Sequence, residues 1–319
     1  MTQFRQVYMV LSPRSLLYAR DALDSLFRNS AEALRLRLIT DSKQDKERLS
    51  ETVESLDSKR HKWEVYSEED LSERDDELFA GYGNLHTFRR GHPCWRKITD
   101  PILLSEPDAE LVLLDPDLYF PNRFQFEETP QNGLLLMWQH PNCLYPPAVV
   151  KTAIESGIAL AHHVDIGVAH WRACADLDWM NWLVGKLGGD KLPRIPHVEA
   201  IVWSALAMRI GGGHLDPTFW KCWHRSPAKR VMTKLGVKGE SILRAEPWST
   251  LKCFHAAGEG KWWLHEAREA GFLDCAAEHL HPGRIIPFVE LTPRNYARER
   301  AFKRIVQALG YYQVFRSAS

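Results

Sequence analysis

The stretch Leu-Val-Leu-Leu-Asp-Pro-Asp-Leu-Tyr-Phe, residues 111–120, does most to decide the fold. Its four leading apolar residues are typical of a buried strand, and Pro116 must end that strand because proline cannot continue a central ladder. Asp115 and Asp117 are therefore predicted at the carboxyl edge of a sheet. Two carboxylates at this spacing can share one hard cation such as Mg²⁺ or Mn²⁺, although two solvated aspartates in a turn give the same pattern.

Strands and helices alternate on both sides of this stretch. An order that begins strand, helix, strand, helix predicts a mainly parallel sheet with helices on both faces. Ligands of such sheets bind beyond the carboxyl ends of the strands, where Asp115 and Asp117 are expected. We predict strands at residues 7–12, 34–40, 63–66, 134–138 and 251–255, and helices at residues 15–28, 42–56, 179–187, 198–210 and 294–315.

The composition restricts the class of protein. The chain has 319 residues, of which 45% are hydrophobic and 26% charged, and this is typical of a globular protein with one large domain. Lys plus Arg and Asp plus Glu each number 41, so the formal charge is zero and we expect no nucleic-acid partner. We find no apolar run long enough for a bilayer span and no signal-peptide pattern, which predicts a cytoplasmic protein. The six cysteines form no Cys-x-x-Cys pair, which favours reduced thiols.

A second polar stretch begins at His255, the last residue of the late strand predicted at residues 251–255. It runs His-Ala-Ala-Gly-Glu-Gly-Lys-Trp-Trp from His255 to Trp263. Its two glycines let the backbone approach a ligand closely, and Lys261 offers a compact positive charge suited to phosphate. Without other evidence, an isolated histidine such as His255 is more often a hydrogen-bonded structural residue than a metal ligand.

The Asp-Pro-Asp and His-x-x-Gly-x-x-Lys-x-Trp motifs together resemble those of the GT-A-fold glycosyltransferases of family 8, the glycogenin and bacterial galactosyltransferase type. The resemblance implies that Asp115, Asp117 and His255 bind Mn²⁺ or Mg²⁺. It implies that Lys261 contacts the diphosphate of the donor. One departure is Trp262, which stands where the family usually has proline.

The resemblance covers residues 5–265 and is loose between the two motifs. It implies further donor contacts by Gly258, at the family glycine, and by Asp115 in addition to its metal role. We also name Arg96, in a basic segment where the family has a donor-contacting residue, and Ser12, at the end of the first predicted strand.

Two further positions near the expected donor sugar depart from the family. Asp165 replaces an asparagine, and Glu199-Ala200 replaces an Asp-Gln pair whose amide lies near the anomeric carbon in the family. We name Asp165 and Glu199 as catalytic residues. Either carboxylate can serve as the general base of an inverting enzyme, whereas family membership implies retention of configuration.

These observations predict an α/β fold, a GT-A domain over residues 1–265 with a mixed, Rossmann-like sheet flanked by helices, and a C-terminal helical appendage over residues 266–319. The implied activity is metal-dependent transfer of a sugar from a UDP-sugar or similar donor to a hydroxyl of a saccharide, lipid-linked or protein acceptor. One alternative is a sugar-phosphate nucleotidyltransferase, although no glycine-rich loop follows the first strand. The other is a non-catalytic nucleotide- or sugar-binding protein, which Ala200 leaves open.

The C-terminal segment combines many arginines and lysines with an apolar stripe at helical spacing. We expect the stripe to pack on the domain and the basic face to be solvated. The alternative is peripheral contact with an anionic membrane surface, which would suit a lipid-linked acceptor. The stripe comprises Ala301, Ile305, Ala308, Leu309 and Tyr312.

Two other metal-site patterns are weaker. Cys222 with His224, and Cys253 with His255, have the period-2 spacing of one strand face, but the usual zinc spacings differ. The pair His162-His163 precedes Asp165, and strand alternation predicts the two imidazoles on opposite faces.

Overall fold

The computed structural model describes residues 4–56, 58–173, 176–308 and 310. The strands are β1 Arg5–Val10, β2 Leu34–Ile39, β3 Lys62–Tyr66, β4 Glu110–Leu114, β5 Leu118–Tyr119, β6 Arg123–Phe124, β7 Leu134–Trp138, β8 Val164–Arg172, β9 Gly212–His214, β10 Trp220–Cys222, β11 Cys253–His255, β12 Glu278–His279 and β13 Ile286–Pro287. The helices are α1 Leu16–Asn29, α2 Lys43–Glu54, α3 Ser72–Leu78, α4 Gly83–Arg89, α5 Arg96–Leu103, α6 Pro147–Glu155, α7 Leu177–Leu187, α8 Val198–Ile210, α9 Pro227–Lys234, α10 Gly239–Leu243, α11 Leu264–Glu269 and α12 Pro293–Ala308.

One mixed sheet organises the chain, with the strand order β3-β2-β1-β4-β8-β7-β10-β11-β5. The first four strands of this order are parallel, as the alternating pattern predicts, and β8 runs antiparallel between β4 and β7. Side chains alternate across the sheet: Tyr8 packs in one apolar core, whereas Val7 and Met9 pack in the other. The predicted mixed α/β sheet flanked by helices is confirmed.

Strand pairing brings the two sequence motifs together. β4 ends at Leu114, so the carboxylate of Asp115 follows directly at the edge of the sheet. The short strand β5 then pairs antiparallel with β11, placing Leu118 opposite His255. The amide of Ala256 donates a 2.9 Å hydrogen bond to the carbonyl oxygen of Asp117, which ties the second motif to the first.

The chain beyond residue 265 contains strands as well as helices. β13 pairs with β9 of the main sheet, and β12 forms a separate two-stranded sheet with β6. The predicted helical appendage therefore also carries two strands, and its boundary at residue 265 stays a prediction. None of the described helices combines the length and hydropathy needed to cross a membrane.

Helix α12 contacts the domain through a different face from the one we predict. Its partly buried Tyr296 packs against the larger core, whereas Ala301, Ile305 and Ala308 of the predicted stripe are exposed. The prediction that this stripe packs on the domain is wrong for these residues, because the face that includes Glu299 turns inward. The alternative of contact with an anionic membrane surface is not tested, and Leu309 and Tyr312 of the stripe lie outside the described residues.

The neighbouring histidines also differ from expectation. β8 begins only at Val164, and His163 before it has a left-handed backbone with φ of 61°. This conformation interrupts strand alternation, so the rings of His162 and His163 stack with centroids 3.7 Å apart. The prediction of opposite faces is therefore wrong.

Candidate active site

A cleft of about 840 Å³ opens beyond the carboxyl ends of β1 and β4. It also receives residues from the start of α8 and from the segment after β11. Of the predicted site residues, all but Arg96 line it: Ser12, Asp115, Asp117, Asp165, Glu199, His255, Gly258 and Lys261. The fold thus brings together residues from both motifs and from the loose region between them.

The predicted metal ligands converge in this cleft. One ligand atom from each of Asp115, Asp117 and His255 lies within 4.8 Å of the others, and all three residues are buried. Nε2 of His255 is 3.3 Å from Oδ1 of Asp117 and 3.9 Å from Oδ2 of Asp115. Two carboxylates and one imidazole form a donor set that fits a divalent cation such as Mn²⁺.

The other nitrogen of His255 faces Asp165. Nδ1 lies 2.9 Å from Oδ1 of Asp165, and the same oxygen accepts a hydrogen bond from the amide of Gly167. Burial acts to lower the pKa of His255, but the charges of Asp165 and Asp117 outweigh it and raise that pKa well above its ordinary value. An Nδ1–H bonded to a carboxylate leaves Nε2 free to bind a metal. Asp165 therefore orients His255.

A buried lysine that sequence reasoning missed lies on the other side of Asp115. Nζ of Lys97 is 2.6 Å from Oδ1 of Asp115 and 3.0 Å from Oε1 of Glu199. Burial raises the pKa of Glu199 to about 8, against the opposing effect of Lys97. Lys97 thus links a predicted metal ligand to a predicted catalytic residue.

Arg96, the predicted donor contact, points elsewhere. Its guanidinium is buried, donates a 3.1 Å hydrogen bond to the carbonyl oxygen of Thr40 and pairs with Asp41. Both Arg96 and Lys97 lie in the first turn of α5, where consecutive side chains project about 100° apart around the helix axis. The two neighbours therefore point in different directions. Lys97 takes the place in the cleft that we predict for Arg96.

The rim of the cleft is cationic and aromatic. Nζ of Lys261 lies 3.8 Å from Oδ2 of Asp117 and 5.0 Å above the ring of Tyr18. Tyr18 meets the half-exposed indole of Trp262 edge-on, with ring centroids 5.2 Å apart. Gly258 has a φ of 65°, which favours glycine and lets the chain turn from β11 towards Lys261.

The alternative zinc pattern is not assembled. Cys253 is buried within an apolar core, while His224 lines the cleft. Among the described residues, the candidate metal cluster that includes Cys222 joins it to Asp165 and His255, without Cys253 or His224. The strand pairing of Cys222 with His255 accounts for this proximity.

Comparison with known proteins bears on the fold. A scan against protein-family models finds no match, and neither does a search of curated proteins. Among solved structures, the chain is similar to apo mouse xyloside xylosyltransferase 1, with 12% identity and a TM-score of 0.52, over 81% of this chain and 98% of that one. This likeness confirms the predicted GT-A fold.

Two other solved structures are similar to the chain at lower scores. The galactosyltransferase LgtC, in complex with donor and acceptor sugar analogues, has 11% identity and a TM-score of 0.46, over 84% of this chain and 92% of that one. The apo glycosyltransferase GlyE of Streptococcus pneumoniae has 11% identity and a TM-score of 0.46, over 80% of this chain and 54% of that one.

Proposed function

We propose that this protein is a metal-dependent glycosyltransferase that moves a sugar from a UDP-sugar to a hydroxyl of a saccharide, lipid-linked or protein acceptor, with retention of configuration. The observation that carries the proposal is the convergence of Asp115, Asp117 and His255 at one end of the cleft. Lys261 lies beside this triad, within reach of a bound anion. A nucleoside diphosphate bears the charge that such a site would bind.

The metal ligands and Lys261 suit the departure of a diphosphate. Asp115, Asp117 and His255 would hold a divalent cation, which would supply positive charge to stabilise the leaving diphosphate. Lys261 adds a fixed positive charge on the same side of the cleft, and Asp165 keeps the imidazole of His255 oriented. As the bond between the sugar C1 and the diphosphate oxygen breaks, the acceptor hydroxyl oxygen bonds to C1 and its proton leaves with the diphosphate.

Glu199 and Lys97 suit the donor sugar. Because its pKa is raised to about 8, Glu199 is largely protonated at neutral pH and can donate a hydrogen bond to a sugar hydroxyl. Lys97 holds the other side of this carboxyl group. Ala200 also lines the cleft, and its side chain has no polar group, so Glu199 is the polar side chain that α8 contributes to the cleft.

Charge pairing in the cleft favours retention. An inverting transferase needs a free general base beside the acceptor hydroxyl. Each carboxyl group among the described residues of the cleft lies within 4.0 Å of a basic side chain: Asp115 of Lys97, Asp117 and Asp165 of His255, and Glu259 of Arg225. Glu199 also contacts Lys97 and, being largely protonated at neutral pH, is not a free base either. A retaining route does not require a free carboxylate base.

The first experiment is a thermal-shift screen of UDP, GDP, ADP and CDP, each with Mn²⁺, Mg²⁺ or EDTA. A ligand that binds only the folded protein raises its Tm. We expect a shift with UDP that requires Mn²⁺ or Mg²⁺ and is lost in Asp117→Ala. Asp178→Asn, at an exposed aspartate outside the cleft, is the matched control and should retain the shift. A shift that does not require a metal contradicts the proposed metal site.

A second experiment separates the proposed activity from its alternatives. Release of UDP from UDP-sugars, measured with and without acceptor saccharides, reports transfer or slow donor hydrolysis. Release of pyrophosphate from UTP and a sugar phosphate would instead indicate a nucleotidyltransferase. Binding of UDP without turnover of any donor would indicate a non-catalytic binding protein, and in that case the exchange of the family amide for Ala200 accounts for the lost activity.

A further inference from the structure

A second cavity of about 420 Å³ lies between α12 and the histidine-containing loops around β7 and β8. We call it the α12 groove. One wall consists of His140, Pro141, His162 and His163, and the other of Asn295, Arg298, Glu299, Phe302 and Lys303. The α12 residues recur at helical spacing, so one continuous face of the helix forms this wall.

The α12 groove adjoins the cleft. Gln139 lines the cleft, whereas the next residue, His140, lines the groove. The amide of Gln139 donates a 2.8 Å hydrogen bond to the carbonyl oxygen of His163, and Nδ1 of His163 lies 3.1 Å from the carbonyl oxygen of Gln139. A thin wall of hydrogen-bonded chain therefore separates the two cavities. The α12 groove is therefore a neighbour of the cleft.

The groove holds two cationic side chains, Arg298 and Lys303, and one carboxylate, that of Glu299, which contacts His162 and also attracts Lys303. Glu299 pairs with His162, whose Nε2 lies 2.7 Å from Oε1 of Glu299. Arg298 makes no ion pair with any described residue, and the closest polar partner of Lys303 is the carbonyl oxygen of Asn142 at 3.5 Å. An arginine and a lysine thus remain available to an anion, and both side chains form strong hydrogen bonds with carboxylate or phosphate oxygens.

The groove also offers flat apolar surfaces. The ring of Phe302 is 66% exposed, and the rings of His162 and His163 stack on each other. Burial and the neighbouring charge of His162 lower the pKa of His163 to about 4, so its ring is neutral at physiological pH. The left-handed backbone of His163 is strained, and such strain concentrates at functional sites. Aromatic rings of this kind suit the apolar faces of sugars.

We propose that the α12 groove binds an anionic sugar of the acceptor, a saccharide unit that carries a carboxylate or a phosphate. Arg298 and Lys303 bind the charged group, and Phe302 contacts the sugar ring. The role of this sugar as an acceptor rests on the glycosyltransferase function proposed above. The negative charge distinguishes this acceptor from a neutral glycan.

The test is a ligand-observed NMR titration of the full chain with glucose, glucuronate, glucose 6-phosphate and inorganic phosphate. We expect glucuronate or glucose 6-phosphate to bind about tenfold more tightly than glucose, and the tighter of the two identifies the charged group. Inorganic phosphate should bind more weakly than glucose 6-phosphate because it lacks the ring. Equal affinity for glucose, or for inorganic phosphate, would overturn the proposal.

Matched variants locate the bound sugar. The double variant Arg298→Gln/Lys303→Gln should lose about tenfold in affinity for the anionic sugar. The control Arg294→Gln/Arg304→Gln removes two exposed arginines of the same helix and should not. Phe302→Ala should weaken sugar binding without changing the binding of inorganic phosphate. Unchanged affinity in the double variant would overturn the proposal.

Failure of the proposed function is detected separately. UDP binding with Mn²⁺ is measured on the same samples, and the groove variants should retain it. Anionic-sugar binding in a protein that binds no nucleotide would overturn the acceptor role and the transferase function together, but would leave the groove as a sugar site. Nucleotide binding without sugar binding would overturn the groove alone.

Discussion

Asp165 and His255 form a buried pair in which Nδ1 of the imidazole lies 2.9 Å from Oδ1 of the carboxylate. The opposite ring nitrogen, Nε2, is directed at Asp117. His255 therefore joins an orienting carboxylate to a candidate metal site. The pair lies on two strands that are distant in sequence, β8 and β11.

Asp165→Asn should weaken Mn²⁺ binding by roughly 10- to 100-fold, which is typical when the partner of a metal-bound histidine is changed. The amide can still accept a hydrogen bond from Nδ1, but it lacks the negative charge that makes the imidazole a stronger ligand. Isothermal titration with Mn²⁺ in the presence of UDP measures the change, with Asp178→Asn as the control. Unchanged Mn²⁺ affinity would show that Asp165 does not act through His255.

Gly167→Ala should remove metal-dependent nucleotide binding by steric displacement. A Cβ atom at this position would lie 2.6 Å from Nδ1 of His255, closer than nonbonded atoms can approach. The control is Gly81→Ala, whose Cβ would meet no atom within 4 Å. The Tm shift with UDP and Mn²⁺ should disappear only in Gly167→Ala. If Gly167→Ala retains the Tm shift with UDP and Mn²⁺, His255 is not a ligand of the metal.

Arg96 and Lys97 are adjacent but should have separable effects. Arg96→Met should destabilise the fold by about 1–3 kcal/mol, because it leaves the buried carbonyl of Thr40 without its donor, and should leave the Kd for UDP unchanged. Lys97→Met should weaken UDP–Mn²⁺ binding, because Lys97 contacts Asp115. Urea unfolding and UDP titration of both variants measure the two effects. Weaker binding of UDP by Arg96→Met would instead support the donor contact predicted for Arg96.

Glu199 should make stability depend on pH. Its pKa is about 8 in the folded protein and 4.5 in its ordinary state, so its stabilising contribution is complete below pH 4.5 and is lost as the pH rises to 8. In EDTA, the Tm of the wild type should therefore fall by several degrees more than that of Glu199→Gln between pH 5 and pH 8. Parallel Tm profiles would show that Glu199 is already ionised at pH 5.

The sequence is most informative where local chemistry determines the backbone. Pro116 ends a strand wherever it lies, so the carboxylates of Asp115 and Asp117 could be placed at a sheet edge without knowing the partner strands. The helix predicted at residues 198–210 coincides with α8, whose side chains are nearly all apolar. Both features depend on residues within a few positions of each other.

The remaining features depend on phase and on distant contacts. To predict that Lys97 lines the cleft and Arg96 does not, one must know the rotation of α5 about its own axis. The contact between Lys97 and Glu199 joins residues 102 positions apart. The left-handed conformation of His163 is uncommon for any residue other than glycine, and no local pattern indicates it. The rotation of α5 and the contact of Lys97 with Glu199 position side chains that line the cleft, and the backbone of His163 positions a side chain that lines the α12 groove.

The pairing of β5 with β11 has a consequence for biosynthesis. A ribosome makes Asp115 and Asp117 well before it makes His255, and the strand that carries His255 pairs between β10 and β5 rather than at the edge nearest the N-terminus. A nascent chain that stops short of β11 contains β1, β2 and β4 but only two of the three proposed metal ligands. If Asp115, Asp117 and His255 bind a metal ion as proposed, metal binding would report that this long-range strand pairing is complete.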